Sequence, residues 1–141
     1  PIWLFNPGWE EAMDLQGSRD MVHLKRLFLS RSWYRLNPDQ EHRVLTGGVG
    51  EHRGLDYTAA AYMEDFTTLI AYMPRSHTLT VDVSKLSGNS VNGWWFDPRI
   101  GQSQYIGEFV AKGEICVTPP GDGDWVLVLD DAAQGLTAPG M

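Results

Sequence analysis

Few side chains in this chain of 141 residues have the types and spacing that chemistry needs. Glu10 and Glu11 follow Trp9, and a carboxyl group beside an aromatic ring is what a glycosidase general acid or a sugar-binding site uses. Hydrolysis of a glycoside, however, needs two carboxyl groups on opposite sides of the bond. One adjacent doublet near a helix start supplies surface charge instead. Asp122-Gly123-Asp124 has the beginning of a calcium loop but lacks the remaining oxygen ligands and the closing glutamate, so a turn with Asx-type bonds accounts for it. His23, His42, His52 and His77 are too widely spread for metal-ligand spacing, and His77, at a hairpin, reads as an exposed side chain. The chain has neither a Gly-rich phosphate loop before a helix nor a Gly-x-Ser-x-Gly elbow. The single cysteine, Cys116, cannot form an internal disulfide; within Glu114-Ile115-Cys116-Val117 it reads as a small buried hydrophobe. The expectation is a chain with no catalytic residue, no metal and no cofactor.

Aromatic residues offer binding rather than reaction. Trp94 and Trp95 are adjacent in an apolar run, and on a strand they must point to opposite faces. One fills a core while the other looks outward, with Phe96 expected on the side opposite the outward indole. An outward tryptophan beside the Arg99 turn could stack on a sugar ring or dock another domain. The candidate ligand-contacting residues are Trp94, Phe96, Arg99 and Tyr105.

These residues need elements to hold them. Val91 to Phe96 and Trp125 to Leu129 are short apolar runs bounded by Asp97-Pro98 and by Pro119-Pro120-Gly121-Asp122-Gly123-Asp124, turn chemistry that marks buried strands. Arg43–Thr46, Tyr57–Met63, Thr67–Met73, His77–Val83, Gln104–Val110 and Glu114–Thr118 complete a series of about eight strands with turns every 8–12 residues, which suggests a two-sheet, immunoglobulin-like antiparallel β-sandwich. In the fourth of these, Leu79, Val81 and Val83 alternate with Thr78, Thr80 and Asp82; in the third, Leu69, Ala71 and Met73 oppose Thr68, Ile70 and Tyr72. One α-helix precedes the strands. Ser18 is its expected N-cap, and Met21, Leu24, Leu27 and Phe28 form a stripe at three- and four-residue spacing. The helix should stop by Ser30. Pro1 to Asn6 reads as one more buried strand.

Composition sets the remaining bounds. A hydrophobic fraction of 43% with 21% charged residues is that of a globular domain. The net charge of −7, with basic residues scattered apart from Lys25-Arg26 and Arg31 to Arg35, argues against a nucleic-acid surface. No apolar run approaches the ~20 residues that cross a bilayer, so no membrane partner is expected.

The run from Tyr57 to Asp130, with W-W-F-D-P-R-I-G and P-P-G-D-G-D-W-V-L-V-L-D, resembles the "putative collagen-binding domain of a collagenase". Such modules follow apiosidase-like (β/α)8 glycoside hydrolase barrels in secreted bacterial proteins. The N-terminal W-L-F-N…G-W-E-E-A and D-M-V-H-L-K-R-L-F-L-S-R-S-W-Y-R-L-N-P-D are similar to the last strand–helix unit of such a barrel. The resemblance implies residues 1–40 as a barrel remnant and linker, 41–131 as a β-sandwich accessory domain and 132–141 as a loose tail. It also implies a secreted or periplasmic location. Its catalytic acid and nucleophile would lie on barrel strands that this chain does not contain. The expected role is structural or domain-docking, with a parent barrel as partner or self-association through the helix. The alternative is a module that binds polysaccharide or collagen through exposed aromatics.

Overall fold

The computed structural model describes residues 6–141, so the strand expected at Pro1 to Asn6 lies almost wholly outside the described residues. Among the described residues two helices come first: α1, Trp9–Ala12, and α2, Gln16–Leu29. The N-cap of α2 is Leu15, without a side-chain cap. Ser18, expected in that role, instead donates its hydroxyl to the Ala12 carbonyl at 3.0 Å and ties the first turn of α2 back to α1. The helix ends at Leu29, and a 3-10 turn over Trp33–Arg35 leads into the strands.

Nine strands follow: β1 Leu36–Pro38, β2 Leu45–Gly47, β3 Ala59–Met63, β4 Thr68–Met73, β5 Leu79–Asp82, β6 Ser90–Asp97, β7 Gln102–Val110, β8 Glu114–Val117 and β9 Trp125–Asp131. They form a six-stranded sheet in the order β1-β3-β4-β9-β6-β7 and a three-stranded sheet β2-β5-β8. Every pairing is antiparallel. The mainly β sandwich preceded by a helix is therefore the observed architecture. β1 is the strand that the sequence concealed, because Asn37-Pro38 reads as a breaker. Among the described residues it pairs only with β3, and an edge position tolerates a proline that cannot donate to a further neighbour. Asp39 then turns the chain: its buried carboxylate accepts the backbone N–H groups of Arg43, Val44 and Leu45 at 2.8–3.0 Å. The chain thus passes from the six-stranded sheet at β1 to the three-stranded sheet at β2.

Side-chain alternation divides the large sheet into two apolar faces. Leu69, Ala71 and Met73 of β4, Val91 and Trp95 of β6, and Leu127 and Leu129 of β9 face the three-stranded sheet, where Leu45, Leu79, Val81 and Val117 meet them. Ile70, Phe96, Val126 and Val128 face the other way, and Leu27 of α2 packs on them with Leu36 and Trp94 at the margin. β9 is buried along its whole length, which explains its unbroken Trp-Val-Leu-Val-Leu run. Phe96 lies on the face of Trp94, not opposite it, because residues two apart on a strand share a side. The helix stripe is only partly used: Leu27 is buried and Phe28 half-buried, while Met21 and Leu24 are exposed.

A polar lock holds α2 and the sheet together. Arg31, just beyond the helix, donates to Asp130 of β9 from Nε at 3.0 Å and from Nη2 at 2.6 Å. Thr68 Oγ1 donates to the same carboxylate at 2.8 Å. The C-terminal segment closes over this junction. Arg31 Nη2 reaches the Thr137 carbonyl at 3.1 Å, Ser103 Oγ donates to that of Pro139 at 2.7 Å, and Gly140 N–H donates to Ser30 Oγ at 3.1 Å. Gly140, at φ +84, passes so close to the Phe96 ring that a Cβ would stand 2.8 Å from it. The segment expected to be loose is pinned at Thr137, Pro139 and Gly140. Its Ala, Gly and Pro composition reflects close approach, not disorder.

Candidate functional site

The four candidate residues occupy one end of the six-stranded sheet and have different surroundings. Phe96 is 0% exposed, sealed beneath Leu27 and the C-terminal segment, and is a core side chain. Trp94 and Tyr105 face each other across β6 and β7. Their rings are 4.8 Å apart at 56°, and Tyr105 donates its hydroxyl to Asn92 Oδ1 at 2.9 Å. Trp94 is half-buried and Tyr105 exposed. This pair presents an aromatic edge with one polar corner, and it is the part of the predicted set that solvent reaches.

Arg99 is committed to the fold. Its Nε and Nη2 donate to the two oxygens of Asp97, both at 2.8 Å, and Nη1 donates to the Asp122 carbonyl at 3.1 Å. Asp124 stands 3.7 Å away. The guanidinium lies 5.4 Å from the centre of the Trp125 ring, a cation–π contact. Gly123, at φ +95, would bring a Cβ to 2.4 Å from Nη1, so only glycine lets the loop wrap the arginine. Arg99 thus staples the β6–β7 turn to the loop before β9. The Asp122-Gly123-Asp124 motif serves this contact rather than a turn of its own. Asx-type bonds form instead at Asp65, Asp82, Asp97 and Asp131, each accepting the N–H two residues on.

The Arg99 hydrogen bonds hold the Asp97 carboxyl below its ordinary range, against an opposing effect of burial. A depressed folded pKa contributes stability that is present above the unfolded value, near 3.8, and is lost as pH falls through the folded one. Wild-type stability should therefore exceed that of Asp97→Asn at neutral pH, and the difference should shrink below about pH 4. Urea unfolding of both proteins between pH 7 and pH 3 measures it. A difference independent of pH would remove the carboxylate from the account.

Other sequence candidates are dispersed. Glu10 and Glu11 are exposed on α1. His77 is not free: its ring nitrogens lie 2.7 Å from the carbonyl oxygens of Arg75 and Gly48, closing the loop before β5. Cys116 is exposed, not buried, because its position on β8 points away from the core that Val117 enters. Among the described residues no group of three His, Cys, Asp or Glu side chains could hold a metal, and no helix is long and apolar enough to cross a membrane.

A feature that sequence reasoning missed lies at the other end of the interface. An open cleft of about 390 Å³ is lined by Trp33, Tyr34 and Arg35, by Asp65 and Thr67 of the β3–β4 hairpin, and by Gln134, among others. Three segments far apart in the chain converge there. The only local signal was the aromatic pair Trp33-Tyr34 in a polar stretch.

Comparison with known proteins agrees with this architecture. Residues 37–130 match the family described as "Putative collagen-binding domain of a collagenase". No curated protein matches the chain. Among solved structures, one titled "Glycoside hydrolase" is similar over 89% of this chain and 27% of its own, with 31% identity and a TM-score of 0.76. A glycoside hydrolase family 5 structure from Bacteroides vulgatus ATCC 8482 is similar over 89% of this chain and 26% of its own, also with 31% identity and a TM-score of 0.76. The chain therefore spans about a quarter of the length of these structural neighbours.

Proposed function

This chain belongs to the family described as "Putative collagen-binding domain of a collagenase", and from that premise we propose that it is a non-catalytic accessory domain of a glycoside hydrolase-like protein. It docks on the catalytic part through the outer face of α2. The observation that carries the reading is the uneven burial of that helix: Leu27 is buried on the sheet, while Met21, Val22 and Leu24, a turn or more toward its N-terminus, are exposed. An apolar helix face left in water after the sandwich has closed fits a surface that a further domain covers. The coverage of only about a quarter of two glycoside hydrolase chains supports the same arrangement. A secreted or periplasmic location accompanies this reading.

Hydrogen exchange tests it in the full-length gene product. Amides around Met21 to Leu24 should be slower there than in the isolated chain, and equal rates would rule out docking through α2. The isolated chain should not hydrolyse aryl glycosides; turnover by it would overturn the accessory assignment. Exposed and buried positions of α2 also separate by mutation. Leu27→Asp places an unpaired charge in the layer over β9 and should destabilise the chain by about 3–5 kcal/mol. Leu24→Asp should change stability by less than about 0.5 kcal/mol yet abolish the amide protection in the full-length protein. Equal destabilisation by the two substitutions, read from urea unfolding, would mean that both positions are buried in this chain.

A further inference from the structure

The geometry points to a binding site for a neutral sugar unit in the cleft formed by the Trp33–Arg35 turn, the β3–β4 hairpin and the C-terminal segment. At about 390 Å³ it stands toward the lower end of small-molecule sites, which run from about 300 to 1,000 Å³. That is room for a sugar ring and part of a second. Trp33 is 51% and Tyr34 74% exposed. Their ring centres are 6.3 Å apart with planes at 82°, so one ring can lie beneath a sugar while the other walls its side. Apolar C–H faces of a pyranose pack on such rings as other apolar groups do.

The polar lining suits hydroxyl groups. The Trp33 indole N–H, the Tyr34 and Ser32 hydroxyls and the Gln134 amide have no hydrogen-bond partner among the described residues. Arg35 Nη2 donates to Asp65 Oδ2 at 2.8 Å, and both side chains are substantially exposed. Asp65 is fixed further by the Thr67 hydroxyl at 2.6 Å and the Thr67 N–H at 3.2 Å. The bonds from Thr67, then Arg35, hold its carboxyl below the ordinary range. The pair presents further guanidinium N–H donors beside carboxylate acceptors, which is complementary to neighbouring hydroxyls that both donate and accept.

Charge selects against an acidic glycan. Arg35 is neutralised by Asp65, and Arg31, deeper in the cleft, is spent on Asp130. A chain of net charge −7 with no unpaired cation at this point repels a uronate polymer. A triple-helical peptide is a long rod, and a cleft of about 390 Å³ is too short to accommodate one. The inference rests on the accessory-domain reading only for the class of ligand, a carbohydrate; the cleft itself is independent of docking through α2.

NMR titration of the 141-residue chain with neutral gluco-, manno- and xylo-oligosaccharides tests it, with polygalacturonate and a triple-helical Gly-Pro-Hyp peptide as comparison probes. At least one neutral sugar should give saturable shifts centred on the Trp33 indole and the Asp65 and Thr67 amides. Trp33→Ala, at an exposed position, should weaken that binding about tenfold, whereas Tyr105→Ala at the far end of the sheet should leave it unchanged. Circular dichroism confirms that both variants are folded. The proposal fails if no neutral sugar saturates, if binding survives Trp33→Ala intact, or if polygalacturonate or the peptide binds more tightly. None of those results touches the exchange test on α2. Conversely, sugar binding without α2 protection would refute the docking and leave the cleft standing.

Discussion

Arg31→Ala should lower the stability of the chain by about 3–5 kcal/mol, the effect of removing one partner from a buried ion pair. The Arg31 and Asp130 side chains are 1% and 3% exposed, so neither solvent nor salt screens them. Without the guanidinium, the Asp130 carboxylate keeps, among the described residues, a single side-chain partner, the Thr68 hydroxyl. The Thr137 and Ser30 carbonyls lose their donors in the same step. The C-terminal segment should loosen with them, exposing Phe96 beneath Gly140. For a domain of this size the melting temperature should fall on the order of 10 °C. Arg31→Lys should fail to rescue it, because an ammonium cannot span both Asp130 oxygens and the Thr137 carbonyl. The double variant Arg31→Met, Asp130→Leu should recover much of the loss, since no unpaired charge remains buried. Thermal melts of the three proteins decide it. A loss below about 1 kcal/mol, the value of an exposed pair, would mean that α2 is not locked to β9 as described.

The second large effect separates two adjacent tryptophans. Trp95→Ala should cost about 3–5 kcal/mol, as large-to-small changes do in close-packed cores. Trp95 is 1% exposed and meets the Trp125 ring edge-to-face at 6.5 Å. Trp125 in turn carries Arg99 over its ring and donates its indole N–H to the Gly121 carbonyl at 3.0 Å. Removing Trp95 therefore leaves a cavity whose wall is held in place by the Arg99 staple, and a wall that cannot collapse makes the penalty larger. Trp94→Ala, one residue earlier, should cost about 1 kcal/mol, because that indole is half-buried against Tyr105 at the margin of the outer face. Urea unfolding compares them directly. If Trp94→Ala matched or exceeded Trp95→Ala, the two faces of β6 would be interchanged.

That parity shows what could be read from residues alone. Alternation over Leu69, Ala71 and Met73 and over Leu79 and Val81, and the Asp, Pro and Gly turns around Val91 to Phe96 and Trp125 to Leu129, define strands through local sterics and a period of two. The stripe containing Leu27 marks a helix through a period near 3.6. Alternation also says that Trp94 and Trp95 part company, but not which of them enters the core. That choice was made by the three-stranded sheet, whose Leu79, Val81 and Val117 meet the Trp95 side.

The candidate site was less legible for the same reason. Arg31 and Asp130 are 99 positions apart, and the cleft joins Trp33 to Asp65 and Gln134; no local period records such meetings. Arg99 looked like a free binding group because its neighbours in sequence do not show the loop that wraps it at Gly123. β1 and the C-terminal segment were misjudged where proline and glycine serve an edge and a close approach instead of a break. Strand and helix identities are dictated by interactions within a few residues, which the sequence carries in order. Which faces are covered, which charges are spent and where a cleft opens depend on contacts between distant segments, and these exist only once the chain has closed on itself.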